Sequence, residues 1–222
     1  MPAITAPAVE AYIDGLLPPR EPLLAEVEAH ARANRLPIVG PAEGSFLYLL
    51  TRLHRPRRIL ELGACSGYSA LWYAAATEST GATIETVELD PERQEISEGH
   101  FRRSKYADRI TLIRGNALDV LKTLTPGSYD LIFNDLLRSG AGVTDGVSNQ
   151  VRFLQLSVPL LRPGALLLSD NVLCAGEVVA APAGGPAAGI AEYNRLLFAH
   201  PDLETSLVPV RSRGTLSCRK RT

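Results

Sequence analysis

Cysteine is scarce. Cys65, Cys174 and Cys218 are the three in 222 residues, too few and too scattered for a disulfide framework or a zinc knuckle. That usage suits a reducing compartment, and a cytoplasmic location is expected. An excess of charge of one sign is also missing: 23 Lys and Arg face 24 Asp and Glu, a formal net charge of -1. A protein whose main task is gripping a phosphate backbone usually shows a strongly basic face, so nucleic acid is not the expected partner. A local basic patch does occur at Arg211-Ser212-Arg213 with Arg219-Lys220-Arg221. No apolar run reaches the roughly 18 to 20 residues of a membrane span, so no membrane association is expected. Met1-Pro2-Ala3-Ile4-Thr5 carries no basic stretch ahead of an apolar block, so no signal peptide is expected. What remains is a globular chain, 45% hydrophobic and 21% charged, with length enough for a sizeable core.

The first quarter reads as helical: Val9 to Leu17, Glu21 to Asn34 and Ala42 to His54, parted by Pro18-Pro19 and by the Leu36-Pro37 to Pro41 stretch. From residue 58 short β-rich runs alternate with helix-compatible ones. The strands expected are Arg58–Gly63, Thr83–Leu89, Ile110–Arg114, Tyr129–Asn134 and Ala165–Ser169. The helices between them are Tyr68–Ala76, Pro91–Tyr106, Ala117–Leu124 and Gln150–Leu161. Such alternation implies a parallel sheet covered by helices on both faces. Thr205–Val210 and Thr215–Arg219, with Gly214 between, read as an antiparallel hairpin at one edge of the sheet. Ser139–Gly146 and Ala175–Gly189 read as loops after strand ends, where ligands of open α/β sheets gather; surface connections are the plainer alternative.

Three motifs carry chemistry. Ile59-Leu60-Glu61-Leu62-Gly63-Ala64-Cys65-Ser66-Gly67-Tyr68-Ser69 is an apolar strand, a glycine turn and a helix start. Its glycines permit a tight turn and close approach of a ligand, and the helix start favours an anionic or polar group. G-x-x-x-G lacks the third glycine of the dinucleotide fingerprint, so pyrophosphate is disfavoured; a helix-packing glycine pair is the alternative. Glu88, 25 residues after Gly63, ends the next strand, where a carboxylate can accept ribose hydroxyls. Asp90 before Pro91 reads as a helix N-cap. Asp135 and the pair Asp170-Asn171 close two later strands. If these ends converge, they offer two carboxylates and an amide oxygen, hard donors suited to Mg²⁺ or Ca²⁺. Turn or helix capping is the alternative for each alone.

Taken together, these residues resemble the cation-dependent class I O-methyltransferases of the catechol and caffeoyl-CoA type, which use S-adenosylmethionine. The resemblance runs from about residue 36 to the C-terminus. It implies a Rossmann-like α/β fold: a seven-stranded, mostly parallel sheet with an antiparallel edge strand and helices on both faces. Residues 1–56 would form a helical lead and 57–222 the cofactor-binding domain, the whole being one structural unit. By the same resemblance Val39, Glu61, Gly63, Ala64, Cys65, Ser69, Glu88, Ala117 and Asp135 would contact the cofactor. Asp135, Asp170 and Asn171 would hold a divalent cation, Mg²⁺ first, with Ca²⁺ or Mn²⁺ as alternatives. The acceptor would be a small phenolic, catechol-like or natural-product hydroxyl compound, and the assembly a homodimer.

The sequence departs from the family pattern near the acceptor. Arg138 stands where the family carries a lysine three residues after the first metal aspartate. Arginine stays protonated, so Arg138 is either an electrostatic aid to catalysis beside Asp135 or a surface residue. The interval from Asp135 to Asp170 is longer than the family norm, and Arg213-Gly214 replaces an Asp-Gly. Three rival readings remain: a tRNA-modifying methyltransferase of the same fold, a nicotinamide-dependent oxidoreductase, and a non-catalytic nucleoside-binding protein. His30, His54, His100 and His200 fall outside every motif and receive no role, while Trp72 and Tyr73 read as packing.

Overall fold

The structure is a computed structural model and describes residues 5–137, 143–144, 147–180, 185–210 and 214–221. It separates into two compact units, residues 11–120 and residues 1–10 with 121–222. Among the described residues no helix is long and apolar enough to cross a membrane.

In residues 11–120 the strands β1 (Arg58–Leu62), β2 (Thr83–Glu88) and β3 (Ile110–Arg114) lie in the order β3-β2-β1, all parallel. Ile59, Leu60 and Leu62 are fully buried, the continuous apolar pattern of a strand covered on both faces. Helices α2 (Pro22–Ala33), α3 (Gly40–His54), α4 (Tyr68–Ala76), α5 (Pro91–Arg103) and α6 (Ala117–Thr123) accompany them. α4 buries seven of its nine residues, which its alanines and Ser69 make room for. α3 packs on α4 so closely that a Cβ at Gly44 would lie 2.3 Å from the Trp72 indole. The first helix, α1 (Pro7–Leu16), buries none of its residues.

In residues 121–222 the order is β4 (Tyr129–Asn134), β5 (Leu161–Ser169), β7 (Thr215–Lys220), β6 (Leu203–Val208). β5 is parallel to β4, and β7 is antiparallel to both β5 and β6. One expectation about the sheet is corrected here. The antiparallel strand is not at the edge: β7 lies between β5 and β6, and β6 is the outer strand. The cause is a helix the sequence reading missed, α8 (Pro186–Ala199), partly inside the segment taken as a loop. α8 makes β5-α8-β6 a crossover, so β6 runs with β5, and the hairpin then returns β7 between them. Its signal was present in Ile190, Tyr193 and Leu197, all fully buried at helical spacing.

β5 also begins at Leu161, four residues before the expected Ala165. Pairing passes from Tyr129↔Leu161 to Leu131↔Leu166, two residues on β4 against five on β5, so the irregular start is a bulge that absorbs Pro163 and Gly164. α7 (Asn149–Ser157) accordingly ends early, in a 3₁₀ turn at Val158–Leu160. Within the loop expected at Ser139–Gly146, Val143–Thr144 pairs antiparallel with Val147–Ser148.

Candidate active site

In residues 11–120 the turn from β1 to α4 is shaped by residues in the left-handed region: Gly63 at φ 105°, Gly67 at φ 80°, and Cys65 at φ 49°. A non-glycine residue there costs on the order of 1 kcal/mol and persists only where neighbours hold it. They do. The Gly63 and Ala64 N–H groups donate to the Val87 carbonyl at 2.9 and 3.0 Å, and Gly67 N–H donates to the Ala64 carbonyl at 2.7 Å. Cys65 N–H donates to Glu88 Oε2 at 2.8 Å. Gly67 must be glycine, since a Cβ would lie 2.5 Å from the Phe101 ring. It also caps α4 without any side-chain acceptor, and such a helix start favours an anionic group.

Glu88 ends β2 and is buried. Besides Cys65, the Leu89 and Asp90 N–H groups donate to its Oε1, both at 2.9 Å. A carboxylate has about four lone-pair sites, so these three bonds leave room for about one ribose hydroxyl. Accepting two would require one amide to let go. Glu61, inside β1, is fully buried. The Thr86 hydroxyl donates to its Oε2 at 2.5 Å, while Oε1 has no hydrogen-bond partner. Burial pushes the Glu61 carboxyl up to about 7; the Ser69 and Thr86 hydroxyls oppose this and the Glu88 charge adds to it. A buried carboxylate oxygen without a partner fits a site built to take an ammonium, such as that of a methionine moiety.

Ala64, Cys65 and Ser69 are buried within the same turn and helix start. Val39 and Ala117 are buried at other helix starts, ahead of α3 and opening α6. Sequence reasoning missed two supports. Thr86 stands directly opposite Glu61 in the β1–β2 register, a pairing visible only once that register exists. Gln94 Nε2 donates to the Glu88 carbonyl at 2.9 Å. The Asp90 cap is as expected: its Oδ1 accepts from Glu92 and Arg93 N–H.

The second cluster lies in residues 121–222. Pairing of Asn134 with Ser169 sets the ends of β4 and β5 side by side, and Asp170 N–H donates to the Asn134 carbonyl at 3.1 Å. Asn171 at φ 62° turns its side chain back, so that Nδ2 is 3.0 Å from Asp170 Oδ2 and 3.4 Å from Asp135 Oδ1. Its backbone N–H donates to Asp170 Oδ1 at 2.6 Å. The three expected residues are thus brought together, Asp170 fully buried and Asp135 nearly so. An amide carries a donor and an acceptor end, and turning it over would give a cation three hard oxygens. The donor set therefore fits a divalent ion. α8, unforeseen in the sequence, anchors this end: the Tyr193 hydroxyl and Ser169 Oγ share a 2.7 Å hydrogen bond, and Asn194 Nδ2 donates to the Val172 carbonyl at 2.7 Å. Arg138 lies outside the described residues.

Comparison with known proteins identifies a family. The profile of the family described as O-methyltransferase matches residues 20–221. A catechol O-methyltransferase of Mycobacterium tuberculosis is 31% identical over 209 residues, covering 93% of this chain and 90% of its own. Another, from Niastella koreensis, is 31% identical over 207 residues, covering 90% and 89%. The crystal structure of an O-methyltransferase from Bacillus cereus in complex with SAH superposes with a TM-score of 0.82 at 28% identity, over 96% of this chain and 97% of that one. With the α/β fold, the glycine turn and a family match over nearly its whole length, the chain belongs to the O-methyltransferase family.

Proposed function

We propose that this O-methyltransferase moves the methyl group of S-adenosylmethionine to a hydroxyl of a small acceptor chelated to a divalent cation. Mg²⁺ is the first candidate, and a phenolic or catechol-like compound the acceptor class. The observation that carries the reading is Asn171, whose side chain reaches both Asp135 and Asp170 at the ends of paired strands. On the donor side, the unpartnered Glu61 oxygen and the Bacillus cereus relative in complex with SAH support it. When bound, the cation would lower the pKa of a coordinated hydroxyl and orient it. Glu61 takes the ammonium of the donor, the start of α4 its carboxylate, Glu88 a ribose hydroxyl, and the segment at Ala117 the adenine. Asp135, Asp170 and Asn171 supply the oxygen donors. Arg138 cannot remove a proton, and its proposed role is to hold an acceptor oxyanion. No covalent enzyme intermediate is needed, so the rate comes from positioning and electrostatics. A homodimer is part of the same proposal.

The test is transfer of labelled methyl to a panel of phenolic and other chelating acceptors, with Mg²⁺, with a chelator, and with Asp170→Asn. Activity is expected with Mg²⁺ and lost with the chelator, and the variant should fall at least about a hundredfold while still binding the donor. Undiminished transfer in the presence of chelator would overturn the metal role.

A further inference from the structure

The donor-binding turn is also held from a direction that strand pairing does not supply. Its ties to Val87 and Glu88 come from β2. One more comes from α5: His100 Nδ1 lies 2.8 Å from the Ser66 carbonyl. A carbonyl only accepts, so Nδ1 carries the hydrogen and donates it. Both residues are buried. Burial holds the His100 ring below the usual imidazole range, outweighing the upward pull of the Ser66 bond. The next residue, Phe101, puts its ring where a Gly67 side chain would stand. From α2, the His30 ring meets His100 edge-on, centroids 5.5 Å apart at 76°. Two consecutive residues of α5 thus grip the two residues that follow Cys65.

We propose that His100 is a positioning residue for the methyl donor: its hydrogen bond to Ser66, with the Phe101 ring beside Gly67, keeps residues 63–67 in the conformation that accepts the adenosyl group. The inference rests on the donor reading given above. Its physical basis is the strain at Cys65, which relaxes when Ser66 is released. A ligand that binds one conformation loses affinity in proportion to the fall in that conformation's population. The rest of the turn has its own anchors, so the fold survives while the binding geometry loosens.

Calorimetric titration with S-adenosylhomocysteine tests this on the wild type, His100→Met and His100→Asn, with thermal melting in parallel. Methionine fills the ring's space without a donor, whereas asparagine carries an N–H two bonds from Cβ, as Nδ1 is. If the competent population drops to about a tenth, Kd for His100→Met rises about tenfold, while His100→Asn stays within about threefold of wild type. Both variants should lose similar melting temperature. Lowered melting with unchanged Kd in His100→Met would overturn the inference, as would equal weakening in both variants. Should His100→Met fail to fold, His100→Leu, which likewise fills space without a donor, replaces it with the same expectation. A wild-type protein that binds no S-adenosylhomocysteine would remove the donor reading and this inference with it. Tight wild-type binding with unaffected variants would remove the inference alone.

Discussion

Glu61 is the residue whose environment says most about chemistry. It is a carboxylic acid inside a parallel strand, raised to about 7 by burial, with one oxygen lacking a partner. In the ligand-free protein it binds a proton that the unfolded chain releases near pH 4.5. Between those values the folded state holds more protons, so stability falls as pH rises from about 4.5 to 7 and then levels off. The full effect is up to roughly 3 kcal/mol. On the proposed donor reading, binding has the opposite slope: an ammonium beside Glu61 would favour the ionised form, so affinity should rise with pH through 7. Glu61→Gln should flatten both profiles and weaken the donor about tenfold or more, as read by denaturant titration and calorimetry at pH 5 to 8. A Glu61→Gln protein with the wild-type pH dependence of binding would assign that titration elsewhere.

Among the elements, α5 does more than cover the sheet. Its start is fixed by Asp90, which accepts from Glu92 N–H at 2.9 Å and Arg93 N–H at 3.2 Å, with Pro91 preset for the first turn. Its far end carries His100 and Phe101 against the turn at residues 63–67. Asp90→Ala should cost about 1 kcal/mol and lower the melting temperature by about 2 to 4 °C. Catalysis at saturating donor should be nearly unchanged, because the substitution removes only the side-chain cap and keeps the residue 90 N–H that donates to Glu88. A larger loss of activity than of stability would place α5 as a whole in the binding conformation. α5 was readable because its cap is local in sequence. α8 was not read, since the Ala-, Gly- and Pro-rich stretch before it obscured a short buried stripe. Missing it moved β7 to the wrong place in the sheet.

At the scale of the whole molecule, charge decides which partners are plausible. With 23 basic against 24 acidic residues, phosphate attraction rests on the patch near the C-terminus. Any affinity for tRNA seen at 50 mM salt should therefore fall steeply by 200 mM, while transfer to a small acceptor should change little. Filter binding across that range checks it; retention of tight tRNA binding at the higher salt would favour the RNA-modifying reading.

The amino-acid order alone determined what is local: the strand, glycine turn and helix at residues 59–69, the acid ending the second strand, and the Asp90 cap. Each depends on φ/ψ preference or hydrogen bonds spanning only a few residues, and so leaves a mark in the sequence. Only tertiary structure decided what is distant. Asp135 meets Asp170 and Asn171 because β4 and β5 pair, and Thr86 meets Glu61 because β1 and β2 do. The grip of His100 on Ser66, 34 residues apart, has no motif at all. Register and packing are collective outcomes of burying apolar faces, and no short run of residues encodes them by itself.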